Sequence, residues 1–190
     1  MLMDTAQMLD ECRRYRDPYH RIGRLLKAGR LIPLKRGLYE TDRSVSPCAL
    51  AGCLCGPSYL SFDYALSFYG MIPERVTVYT SATFRKRRTR EFSNDFGTFS
   101  FQDVPAAVYP YGYTWIDEKP YPYLLAGREK ALCDKLYSLP PIRGLKAFRE
   151  YLFDGLRLDE EIFDELDREK IRFIAPKYHR TNLTQLLRIL

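Results

Sequence analysis

Pro18, Gly29, Pro33 and Gly37 punctuate DPYHRIGRLLKAGRLIPLKRGLYE, residues 17–40, and leave that stretch one local plan. Asp17 followed by proline is a helix cap and a first helical position. From there Tyr19, Ile22, Leu25 and Leu26 recur on one side of a helix. At about 100° per residue, His20, Arg24 and Lys27 fall within about 60° of one another on the opposite side, with Arg21 on the shoulder. Gly29 stops the helix. Leu31–Leu34 and Leu38–Thr41 are then short strands joined by the turn Lys35-Arg36-Gly37, where Gly37 supplies the positive φ of a tight hairpin. Pro33 lacks a donor and fits an edge strand. Upstream, residues 4–15 read as a helix capped by Asp4 or Thr5.

Helix, glycine, strand, basic turn, strand is the layout of a winged helix, abbreviated here because a single helix precedes the reading helix. On that plan His20, Arg21, Arg24 and Lys27 face a duplex, and Arg21 and Arg24 reach guanine edges. Lys35 and Arg36 at the hairpin tip, with Arg13, Arg14 and Arg16, contact phosphates. The polar connector DRSVSP, 42–47, divides a module of residues 1–44 from a body of residues 45–190. The body alternates. PCALAGCLCG and SYLSFDYALSFYG are helical, the latter capped by Ser61. Strands follow at 75–82, 97–104, 108–116 and 121–126, and helices return at 127–139, 144–156, 159–169 and 181–190. The fold class is α/β (α+β), an abbreviated winged helix-turn-helix before a mixed body with a helical tail.

Charge placement agrees. Of the net +6, residues 1–45 supply +4 and RKRRTR, 85–90, supplies +5, so everything else carries −3. Arg85, Lys86, Arg87, Arg88 and Arg90 form a second basic patch, since crowded cations repel unless something anionic relieves them. Tyr109, Tyr111, Tyr113 and Trp115 alternate onto one strand face and read as a packed sheet surface. On the helix at 127–139, Lys130 and Asp134 stand one turn apart and can pair as an anchor to the sheet. The five cysteines are odd in number, and Cys48, Cys53 and Cys55 lack a second ligand pair, so neither a disulfide frame nor a metal site is expected. No cofactor is implied. The charged start MLMDTAQMLDECRRYR is unlike a signal peptide, and no apolar run reaches membrane length, so a cytoplasmic protein away from the membrane is expected. Two other readings stay open: a metal-dependent nuclease using Asp103, Asp117 and Lys119, and a plain ligand-sensing transcriptional regulator.

Several segments together carry a resemblance: Gly37-Leu38-Tyr39; Tyr59-Leu60-Ser61 with Ala65-Leu66 and Tyr69-Gly70; Thr83 through Arg87; and Glu129-Lys130-Ala131-Leu132 with Asp134. In that order, over about residues 25–138, the chain resembles the AbiEi-like antitoxins of abortive-infection type IV toxin–antitoxin pairs. The resemblance implies a non-enzymatic protein that represses its own operon by binding double-stranded promoter DNA. It also implies that the body counters a nucleotidyltransferase-like toxin without a stable complex.

Overall fold

The computed structural model describes all of residues 1–190. The chain opens with a two-residue strand β1 (Met3–Asp4), then helices α1 (Thr5–Glu11) and α2 (Pro18–Lys27) and the hairpin β2 (Ile32–Lys35) and β3 (Leu38–Glu40). The three strands form an antiparallel sheet in the order β1-β3-β2. Asp4 caps α1 in a reciprocal box with Gln7, and Asp17 caps α2 through the His20 amide. Past Lys27 the Arg30 amide returns to the Leu25 carbonyl and the Gly29 amide to Leu26, the paired closure that ends a helix at glycine. The first helix is shorter than expected, because its carbonyl ends are already turned over by Cys12 and Arg13.

The body follows as α3 (Pro47–Leu54), β4 (Tyr59–Leu60), α4 (Phe62–Phe68), β5 (Val78–Thr83), β6 (Arg90–Asn94), β7 (Gly97–Asp103), β8 (Tyr113–Ile116) and β9 (Tyr123–Ala126). After these come α5 (Arg128–Ser138), α6 (Leu145–Glu150), α7 (Glu160–Asp164), α8 (Arg168–Ile174) and α9 (Thr181–Ile189). A wide π turn continues α6, and a 3₁₀ turn containing Tyr178 separates α8 from α9. The mixed sheet runs β6-β7-β5-β4-β9-β8, with parallel pairs β5–β7 and β4–β9. The architecture is mixed α/β, with nine α-helices and two sheets. No helix is long and apolar enough to cross a membrane.

Several sequence expectations change. The strand expected at 108–116 begins only at Tyr113, because residues 106–111 form turns closed by amides returning to Pro105 and Val108. Tyr109 therefore leaves the strand and packs on Tyr59, and Trp115 stands 64% exposed instead of covering a helix. Strands β1, β4 and β6 were not expected, nor was the break that ends the helix expected at 159–169 at Asp164 and starts α8 at Arg168. Ser61 occupies the cap position of α4, but its hydroxyl makes no cap bond.

That hydroxyl goes to the centre of the molecule. Lys130 and Asp134 on α5 pair at 3.0 Å, with side chains 1% and 0% exposed. The ammonium also donates to the Val108 carbonyl (3.1 Å) and the Tyr178 hydroxyl (2.7 Å). The carboxylate accepts Ser61 (2.7 Å), Tyr59 (3.1 Å) and Tyr178. Burial first, and the Asp134 charge second, push the Tyr59 and Tyr178 hydroxyls well above their ordinary range, so both remain donors. Removing one partner from such a pair strands a buried charge. Lys130→Met is expected to cost about 3–5 kcal/mol in urea unfolding. Lys146→Met, which removes an exposed pair with Glu150, should leave the midpoint where it was.

Candidate nucleic-acid interface

The buried side of α2 rests on a small core of its own, Met3, Met8, Cys12, Ile22 and Leu31, flanked by Leu9, Leu25, Leu26 and Tyr39. That phase leaves His20, Arg24 and Lys27 exposed on the other side. Arg21 is half-buried, its guanidinium 4.9 Å from the Tyr15 ring centre, and Arg14 approaches the same ring. Tyr19, expected on the apolar arc, is 69% exposed: it sits in the first turn, beyond the reach of the small core. Tyr15 and Tyr19 thus flank the cationic face, which the sequence reading missed. The signal available was an aromatic before and after a cap at Asp17.

Few of these cations have an internal partner. Arg13 pairs with Asp10 at 3.5 Å and Arg43 with Asp95 at 3.2 Å, both at the surface. Arg14, Arg16, Arg21, Arg24, Lys27, Arg30 and Arg36 form no ion pair.

The hairpin turn is Arg36-Gly37, with Gly37 at φ +81° and its carbonyl taking the Thr5 amide. Arg36 is exposed. Lys35 is not at the tip. It closes β2, and its ammonium turns inward to the Leu54 (2.6 Å) and Cys53 (3.2 Å) carbonyls at the end of α3. A cation there meets the negative end of the helix and two carbonyls without partners of their own, which corrects its expected role as a phosphate contact.

In the second basic patch, Arg85, Arg87 and Arg88 are exposed on the crossover from β5 to β6, whereas Lys86 is half-buried and donates to the Gly56 carbonyl at 2.8 Å. Arg90 is the first residue of β6, opposite Phe101. The hairpin unit and the body are packed together. Asn94 donates to the Leu34 carbonyl at 3.1 Å, the Tyr121 hydroxyl donates to the buried Glu40 carboxylate at 2.9 Å, and Leu34 belongs to the body's core. The boundary at residue 44 is therefore a connector in sequence but no gap in packing.

The residues of the nuclease reading do not meet. Asp103 lies on β7 and Asp117 follows β8, with β5, β4 and β9 between them, a separation of about 19 Å at ~4.8 Å per strand. Asp103 is occupied by the Thr83 hydroxyl and the Arg87 amide, each at 2.7 Å. No three His, Cys, Asp or Glu side chains come together as a metal-binding group, and all five cysteines are free. No protein-family model matches the chain, and no curated protein matches it.

Lys35 and Arg36 are adjacent and equally charged, yet their surroundings separate their roles. Lys35→Gln is expected to lower unfolding stability by about 1–2 kcal/mol, since the helix-end carbonyls lose a charged donor. Arg36→Gln should leave the thermal midpoint unchanged.

Proposed function

We propose that the chain is a DNA-binding antitoxin that represses its own operon and counters a nucleotidyltransferase-like toxin. The observation that carries the DNA half is the exposed, unpaired row His20, Arg24 and Lys27 on α2, backed by a β-α-α-β-β unit with sheet order β1-β3-β2. That order is what a winged helix-turn-helix would have if its first helix were missing, with α1 as the supporting helix and α2 as the reading helix. On this reading Arg24 reads a base edge, Arg21 contacts bases or backbone beside Tyr15, and Lys27 and Arg36 hold phosphates.

The antitoxin half is supported by the resemblance, and its motifs converge in space. Tyr59 and Ser61 of one motif bond to Asp134 of another, and Thr83 and the Arg87 amide of a third share Asp103. Two of the four motifs are joined by buried hydrogen bonds, as a scaffold requires, so Tyr59, Ser61 and Asp134 support likeness of fold and do not mark a toxin-facing surface.

Gel-shift titration on the upstream promoter tests the DNA half. Arg24→Ala is expected to weaken specific binding by about 5- to 150-fold, the equivalent of ~1–3 kcal/mol for a base contact. Unchanged affinity overturns that half. Co-expression with the neighbouring nucleotidyltransferase-like protein tests the other: growth should be restored by the chain and by Arg24→Ala alike, and persistent toxicity with both overturns the antitoxin reading.

A further inference from the structure

We propose that the loop Phe84–Thr89 is a second phosphate-gripping element, so that the body, and not the amino-terminal unit alone, holds duplex DNA. This rests on the DNA half of the reading above.

The loop is built, not merely charged. Arg85 and Arg87 both adopt left-handed backbone, at φ +57° and +62°, which residues with a side chain take up only under constraint. The constraints are visible. Asp103 at the end of β7 holds the Thr83 hydroxyl on one oxygen and the Arg87 amide on the other. Lys86, between the two left-handed residues, is turned inward onto the Gly56 carbonyl. The result presents Arg85, Arg87 and Arg88 to solvent, none of them with a carboxylate partner. At the loop's exit, the buried Nε of Arg90 has no hydrogen-bond acceptor within the chain.

The loop and the hairpin meet at one place. Lys35 takes the Leu54 carbonyl and Lys86 takes the Gly56 carbonyl, two residues further along. Carbonyls two residues apart are separated by at most about 7 Å, which puts the two ammonium groups within about 12 Å of each other. The two lysines anchor the hairpin and the loop at the same end of α3. Packing of β2 on β6 joins the two units at the end of β6 away from the loop, through Asn94 and through Arg43 with Asp95. Residues 85–88 reach at most about 10 Å, so their side chains stand along one short stretch of surface. The complementary ligand is a regularly spaced polyanion, gripped without regard to sequence.

The test uses the full chain and the promoter duplex. Replacing Arg85, Arg87 and Arg88 together by glutamine is expected to lower the slope of log Kd against log salt by about 2.7, at ~0.9 per lost phosphate contact. Binding at low salt should weaken about tenfold or more, equally on promoter and unrelated duplexes, and the three-lysine counterpart should restore most of it. Should the triple variant unfold, Arg88→Gln, outside the left-handed pair, is expected to lower the slope by about 0.9. An unchanged slope while Arg24→Ala weakens binding overturns this inference and leaves the DNA reading standing. Unchanged binding in both overturns the DNA reading itself. Equal or tighter binding to single-stranded RNA of the same length, lost in the triple variant, overturns the assignment to duplex DNA.

Discussion

A lysine and an aspartate one turn apart on α5, both withdrawn from water, fix where the rest of the body sits. Desolvating two charges is costly, and the arrangement persists because the pairing is complete. The Lys130 ammonium has three acceptors, and each Asp134 oxygen has two donors. Those partners come from β4, from the turn at Val108 and from the 3₁₀ turn before α9, so one network ties α5 to the middle of the sheet and to the helical tail. The Lys130 stem also leaves no room beside it. A Cβ on Gly112, at φ +75°, would come within 2.9 Å of the Lys130 Cβ, so the chain there must be glycine to pass. Sheet order, tail position and the turn that shortens β8 all follow from satisfying one pair.

What the sequence revealed was local. Asp4, Asp17-Pro18, Gly29 and Gly37 act on backbone within a few residues of themselves, and the capped helices and hairpin stand where those residues put them. The Lys130–Asp134 spacing was legible for the same reason. Strands of two residues, β1 and β4, have too little pattern to read, and β6 hides in REFSN, whose charges suggest a loop. Its partner β7 supplies the pairing that makes it a strand. Lys35 illustrates the limit: nothing near it in sequence shows that a helix ends above it, because that end lies 18 residues away.

The same distinction separates scaffold from surface among the resembling motifs. Tyr59, Ser61, Lys130 and Asp134 are buried and mutually bonded. They constrain what the fold is, whereas the residues that would meet a partner, Arg24, Lys27, Arg36 and Arg88, are bound by nothing in the chain. The buried residues of the resembling motifs thus do structural work, and the surface where specificity would reside lies largely outside them.

The fate of the acidic side chains explains why the amino-terminal cations stay free. Asp4 and Asp17 accept helix-cap amides, and Asp42 takes the Ser44 amide and hydroxyl. Glu40 is buried against Tyr121 and the amides of Thr41 and Asp42. Only Asp10 turns to an arginine of its own unit, at a long 3.5 Å. Carboxylates held by backbone donors cannot swing over to neutralise α2, and the body sends none across: its one ion pair to this unit, Asp95 with Arg43, lies beyond the hairpin. Four of the unit's six carboxylates are thus held away from the exposed face of α2 by the contacts that fold it, while Asp10 pairs with Arg13 and Glu11 stands exposed. In solution such a face is neutralised only by mobile counterions, whose screening acts over about 10 Å, and on the proposed reading a phosphate-bearing partner would displace them.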